Sequence, residues 1–279
     1  MKSKTVFITG TSSGFGLETA VYLAEKGFRI IAAMRNYSKE NLLEQRAALS
    51  GVSDRITVME LDVTDPAQIE RVKEEVQSRF GAPDVIINNA GYSKGGITET
   101  LTYTDWEEQL KTNVLGTVAV TAAFLPMMRE AGGGKIINLG SISGRFGFPA
   151  LGPYVTSKTA LAGCSESLRL ELLPQNIYMS LIEAGSYKTG IWEKGMNAAN
   201  LEIPESYRGT LESMYRMAEH SAHTASDPQE VVRLIERICT VKKPRFRYQT
   251  GRGVRTLIFL KTLLPWPVIE WYVKIKLTK

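Results

Sequence analysis

The sequence predicts one α/β domain: a doubly wound, mostly parallel sheet of about seven strands with helices on both faces. Two observations carry this. Short β-favouring apolar runs alternate with helical segments of roughly 12–20 residues along the 279-residue chain. The runs are apolar almost throughout, not at every second position, which is the pattern of parallel strands covered on both faces.

In order, the predicted strands are Thr5–Thr9, Arg29–Met34, Ile56–Leu61, Val85–Asn88, Lys135–Leu139, Tyr178–Ile182 and Phe246–Gln249. The predicted helices between them are Phe15–Lys26, Lys39–Leu49, Pro66–Phe80, Asp105–Arg129 and Pro153–Leu173, with a further one opened by Asp227-Pro228. Asp65-Pro66 and Asp105 are start signals, and Gly27 and Gly81 are stops. No repeat, low-complexity tract or linker divides the chain. Its expected organisation is a core over 1–183, a substrate loop over 184–226, and a last helix, strand and tail over 227–279.

Composition narrows the function classes. Apolar residues at 43% and charged residues at 23% suit a globular protein with a full core. Cys164 and Cys239 make neither a metal spacing nor a disulfide framework, so no metal is expected and a reducing compartment is. The opening MKSKTVFITG runs straight into a strand and marks nothing for export, so a cytoplasmic location is the expectation. The net charge of +5 is uneven: Thr240–Lys279 holds ten Lys/Arg against Glu270 alone, while the remainder holds 24 basic and 28 acidic residues. No nucleic-acid recognition motif accompanies that charge.

The first strand runs into Thr9-Gly10-Thr11-Ser12-Ser13-Gly14-Phe15-Gly16, followed by a helix. Glycines there permit a tight turn and the close approach of a pyrophosphate, and the helix N-terminus offers N–H groups and a positive dipole end. Gly10, Ser12, Ser13, Gly14, Phe15 and Gly16 are therefore candidate nucleotide contacts. The second strand ends Ala33-Met34-Arg35-Asn36, without the acid that holds a ribose 2′-hydroxyl in NAD sites. Arg35 suits a 2′-phosphate through its planar fork, so NADP(H) is favoured and NAD(H) stays open.

Ser141 follows the fifth strand at the ligand-binding edge of the sheet, and Tyr154-Val155-Thr156-Ser157-Lys158 comes soon after. Four residues apart on a helix opened by Pro153, Tyr154 and Lys158 share a face. A neighbouring ammonium is expected to lower the Tyr154 phenol towards working pH and fit it for proton transfer.

With these motifs in place the chain resembles the short-chain dehydrogenase/reductase family, in the branch carrying Thr-Gly-x3-Gly-x-Gly and Tyr-x3-Lys on a Rossmann fold. The likeness covers about residues 4–190. Asn88-Asn89-Ala90-Gly91 resembles the family's motif after the fourth strand, Asp62-Val63 its adenine contact, and Asn113 its fourth catalytic residue. The resemblance implies an alcohol/carbonyl oxidoreductase. In it Tyr154 transfers the proton, Ser141 polarises the substrate oxygen, Lys158 binds the nicotinamide ribose, and Asn113 helps hold a water leading from Lys158 to solvent. Asn89, Ala90, Gly91, Gly185 and Thr189 join the cofactor contacts. One departure matters: in Glu183-Ala184-Gly185-Ser186-Tyr187-Lys188-Thr189, Ala184 stands where the family has proline, so a fixed φ is lost.

A non-catalytic nucleotide sensor on this fold has no need of Ser141, Tyr154 and Lys158. A sugar-nucleotide epimerase shares Tyr-x3-Lys but usually has a shorter glycine spacing and a larger C-terminal domain. The style of the sequence resembles hydroxysteroid and retinol dehydrogenase-like members. Residues 185–226 carry Tyr187, Trp192, Met196, Tyr207, Met214, Tyr215 and Met217, the make-up of an adaptable pocket for a bulky apolar alcohol or ketone, or of a lid packed on the sheet. Prolines and charges interrupt Thr256–Lys279, so it is no membrane span. Basic and rich in Leu and Trp, it suits either an anionic membrane surface or packing over the pocket or a subunit interface. A homodimer or homotetramer is expected from the resemblance, paired through Asp105–Arg129 and Pro153–Leu173.

Overall fold

The computed structural model describes residues 3–37, 42–189 and 204–277. Seven parallel strands lie in the order β3-β2-β1-β4-β5-β6-β7. They are β1 (Thr5–Thr9), β2 (Arg29–Met34), β3 (Ile56–Glu60), β4 (Val85–Asn88), β5 (Gly134–Leu139), β6 (Ile177–Ala184) and β7 (Arg247–Thr250). The order reverses between β1 and β4, which opens a crevice at the carboxyl ends of the strands.

Alternation along β1 explains its unbroken apolarity. Val6 and Ile8 point into one core layer with Leu17, Ala20, Ile235 and Ile238. Phe7 points into the other with Val72, Phe124 and Met128. The first layer is closed by α1 (Gly14–Glu25), α2 (Leu42–Leu49) and α8 (Gln229–Thr240). The second is closed by α3 (Pro66–Phe80) and α5 (Thr117–Glu130).

The helix signals act as expected, with shifts. The Asp65 side chain accepts from the amides of Ala67 and Gln68 ahead of α3, and Gly81 ends that helix at φ +77°. α4 (Tyr103–Leu110) starts two residues before Asp105, because Thr102 is the cap and Asp105 closes the capping box. The single helix expected over Asp105–Arg129 is instead α4, a π-helical turn over Lys111–Gly116, and α5. α6 (Gly152–Leu172) follows expectation to within a residue at each end. α7 (Glu205–His223) carries Tyr207, Met214, Tyr215 and Met217. Trp192 and Met196 lie outside the described residues.

Two short helices end the chain, α9 (Val254–Leu263) and α10 (Trp266–Leu277). Only Val254 of α9 is buried, and Phe259, Leu263, Trp266 and Trp271 are 59–63% exposed. α10 packs against α7, and Lys261 of α9 reaches the Arg145 carbonyl and the Phe146 ring.

Candidate active site

A cleft of about 380 Å³ opens at the β1/β4 reversal, within the range usual for small-molecule sites. The glycine turn forms one wall. Gly10 sits at φ +71°, and a Cβ there would come within 2.7 Å of the Ala90 Cα. At Gly16 a Cβ would run into the carbonyl oxygen of Gly10, so this glycine lets α1 pack against the turn and does not line the cleft. Asn89 braces the same turn. Its Nδ2 donates to the carbonyls of Thr9 and Gly10 at 2.9 Å, while the amides of Asn89 and Ala90 donate to Thr9 Oγ1. Ser12, Ser13, Gly14 and Phe15 line the cleft where α1 begins. Those first amides have no partner inside the helix and meet an anion with the positive dipole end.

Arg35 and Asn36 rim the cleft at the end of β2, and Arg35 is exposed with no acid ion-paired to it among the described residues. Asp62 and Val63 line the next stretch. The Asp62 carboxylate accepts from the amide and hydroxyl of Thr64, which fixes the loop after β3. Gly91, Gly185 and Thr189 complete the predicted lining, and Thr189 lies against Gly14.

Ser141, Tyr154 and Lys158 meet on the floor of the cleft. Ser141 Oγ accepts from the Ser143 amide at 3.1 Å, and Ser141 and Tyr154 both line the cleft. Lys158 is buried, and its Nζ donates to the Leu139 carbonyl at 2.7 Å. Burial brings this amine down to about 8.

The expected lowering of Tyr154 by Lys158 is not found. Burial pushes the phenol up, and neighbouring Ser141 supplies the opposing pull. The ammonium lies 5.7 Å from the Tyr154 ring centroid and spends its hydrogen bond on Leu139. Sharing a helix face sets Cβ atoms close; it does not aim the charged end of a long side chain at its neighbour.

Asn113 stands just behind the cleft in the π-helical turn, fully buried. Its Oδ1 accepts from the Tyr92 amide, and its Nδ2 donates to the Tyr92 carbonyl and to Ser157 Oγ, all at 3.0–3.1 Å. The side chain thus ties the segment after β4 to α6, next to Lys158. Tyr92, Thr112, Leu139 and Gly140 also line the cleft, and reasoning from the sequence missed them. Their only sequence signal is adjacency to the motif residues.

Tyr187 follows one of the two readings given for its segment. It is buried, stacks edge-on against Phe15 at 5.4 Å and shares a hydrogen bond with Thr250 Oγ1 at 2.8 Å. It packs into the wall that holds the glycine turn and lines the cleft, which is the packed alternative for this residue.

The profile of the short chain dehydrogenase family matches residues 4–199. The chain belongs to the short-chain dehydrogenase family. As a member of this family it is an oxidoreductase. An uncharacterized oxidoreductase of Bacillus subtilis is 42% identical over 280 residues, which is 99% of either chain. The 3-ketodihydrosphingosine reductase of Bacteroides thetaiotaomicron is 33% identical over 276 residues, covering 99% of this chain and 98% of that one. Human 17-beta-hydroxysteroid dehydrogenase type 1 is 34% identical over 269 residues, 94% of this chain and 81% of the human one. Among solved structures, a short-chain dehydrogenase from Streptomyces avermitilis superposes over the whole of both chains with a TM-score of 0.80 at 26% identity.

Proposed function

We propose that this short-chain dehydrogenase interconverts a bulky apolar alcohol and its ketone or aldehyde with NADP(H), using Tyr154 as general acid and base. The observation that carries the reading is the convergence of Ser141, Tyr154 and the buried Lys158 on the floor of one glycine-walled cleft.

The cradle suits a dinucleotide: Gly10 leaves no room for a Cβ, and the α1 N-terminus offers amides to the pyrophosphate. When bound, the cofactor supplies or takes the hydride. The chain's own residues do the rest. Arg35 receives a 2′-phosphate at the end of β2, where no acid among the described residues is ion-paired to it, and this supports NADP(H) over NAD(H). The Ser141 and Tyr154 hydroxyls, both lining the cleft, donate to the substrate oxygen and polarise it. Tyr154 gives its proton to that oxygen in reduction and takes it back in oxidation. Lys158, held by Leu139, fixes the nicotinamide ribose and returns the proton. Asn113 keeps the π-helical turn closed behind Lys158, where a water path to solvent starts.

Three relatives act, by their names, on 3-ketodihydrosphingosine, a 17-beta-hydroxysteroid and retinol, which supports an apolar substrate for this chain. The exposed apolar residues of α9 and α10, with Arg252, Arg255 and Lys274 among them, suit the surface of an anionic membrane from which such a substrate is drawn. Tyr103, Leu115 and Leu170, exposed by α4 to α6, suit pairing of two chains; a monomeric mass in solution would refute that part.

The test is NADPH oxidation with all-trans-retinal, estrone, 3-ketodihydrosphingosine and cyclohexanone. Turnover of a large apolar carbonyl at well above the cyclohexanone rate is expected, and slower with NADH. Tight NADPH binding with no turnover of any of the four would favour the sensor reading.

A further inference from the structure

β6 ends in a buried carboxylate that the mechanism above does not use. Glu183 is 1% exposed. Its Oε1 accepts from Arg145 Nε at 2.6 Å and from Arg247 Nη1 at 2.7 Å, and its Oε2 accepts from Gln249 Nε2 at 3.5 Å. Arg247 continues outward to Glu166 Oε2 at 2.6 Å. A buried ion pair is weak support for stability, because desolvation offsets most of the Coulomb gain. Its better-attested use is to fix one arrangement among several.

What this pair fixes is the turn that carries Ser141. Gly144 donates to the Ser141 carbonyl at 2.9 Å, Arg145 donates to the Ile142 carbonyl at 2.8 Å, and Ser143 donates to Ser141 Oγ. Ser141 heads this short turn and Arg145 ends it, so an anchored guanidinium holds the far end. Two close contacts remove slack nearby. A Cβ at Gly140 would come within 2.9 Å of the Ile182 carbonyl, and one at Gly144 within 2.8 Å of the Lys158 carbonyl. Lys261 of α9 adds a third hold. Its Nζ donates to the Arg145 carbonyl and lies 5.0 Å from the Phe146 ring centroid.

We infer that Glu183, acting through Arg145, is a positioning residue for Ser141. It keeps the Ser141 hydroxyl where Tyr154 and a substrate oxygen both reach it. With Ala184 lacking a fixed φ, this side chain and the Gly185 amide, which donates to the Thr250 carbonyl at 2.9 Å, hold the end of β6. The inference rests on the active-site reading above and adds the group that sets its geometry.

The test is a double-mutant cycle of Glu183→Gln with Ser141→Ala in the full-length protein, using NADPH and all-trans-retinal as probe. Alone, Glu183→Gln lowers kcat at least about tenfold, as a displaced reacting geometry does, and leaves the NADPH Kd within about twofold. In the Ser141→Ala background the same change costs less than about twofold, since residues acting through one another are not additive. Hydrogen exchange, which needs no substrate, speeds up about tenfold over residues 141–149 and stays unchanged over residues 9–17. Where Glu183→Gln fails to fold, Arg145→Met, whose side chain is 35% exposed, runs the same cycle. Equal losses in both backgrounds, or unchanged exchange over 141–149, overturn the inference. Full turnover by Ser141→Ala alone refutes the active-site reading, and the inference with it.

Discussion

The glycine turn and the C-terminal helices are both rich in residues that sequence reasoning singles out, yet they are held in opposite ways. At the turn, the motif is fixed from other parts of the chain: Asn89 bonds back to Thr9 and Gly10, Phe15 stacks on Tyr187, and Thr189 rests on Gly14. Along α9 and α10, Phe259, Leu263, Trp266 and Trp271 point outward, and the hold that matters to the site is Lys261 on Arg145. Inward-facing motifs prepare a site for one ligand. An outward apolar and basic face is suited to a surface outside the chain.

If the contrast is right, changes in the two regions separate cleanly. Arg35→Ala has the larger effect: NADPH binds about 10- to 100-fold more weakly, the loss of a charge-assisted fork, and NADH stays within about twofold. Fluorescence titration with both nucleotides checks it, and equal weakening of the two would break the 2′-phosphate assignment.

Next comes pH. The Lys158 amine titrates near 8 in the folded protein, below its ordinary value of 10.5, so it loses its proton as pH rises through about 8. In the proposed mechanism reduction uses a proton that Lys158 returns, so kcat/KM for a carbonyl is predicted to be level below about 8 and then to fall up to about tenfold per pH unit. The stability sign is opposite. The unfolded chain binds this proton more tightly, so the Lys158 contribution to stability rises with pH between about 8 and 10.5. A kcat/KM profile rising above pH 8 in the reductive direction would contradict the role given to Lys158.

The smallest effect on chemistry is expected in the tail. Trp266→Ser with Trp271→Ser lowers sedimentation with phosphatidylglycerol-containing vesicles at least about tenfold, since each indole loses its burial in lipid. Turnover of a water-soluble carbonyl stays within about twofold. Wild-type protein that ignores such vesicles would leave α9 and α10 to a protein partner instead.

Much of the fold was legible, because continuous apolar runs and capped helices are local signals. Asp65-Pro66 and Gly81 bracket α3 where expected, and β1, β2 and β4 match residue for residue. The π-helical turn before α5 was not legible, since Lys111–Gly116 reads as ordinary helix and the Asn113 bonds to Tyr92 and Ser157 are made to distant parts of the chain. The site followed the same rule. Residues in spaced motifs were found, whereas Leu139, which holds Lys158 by a backbone carbonyl, has no identity for a motif to show. Tyr187 and Glu183 were obscured for a related reason: their partners Thr250, Arg145 and Arg247 lie 38–64 positions away.

Tyr154→Phe tests the central claim most directly, because it removes one hydroxyl and keeps the ring in its buried place. The measurement is kcat with NADPH and a turned-over carbonyl, paired with NADPH Kd and melting temperature. The account predicts a loss of roughly 10²–10⁴ in kcat, the usual contribution of a positioned acid, with Kd and melting temperature nearly unchanged. A variant that binds NADPH normally and turns over within about threefold of wild type would contradict it.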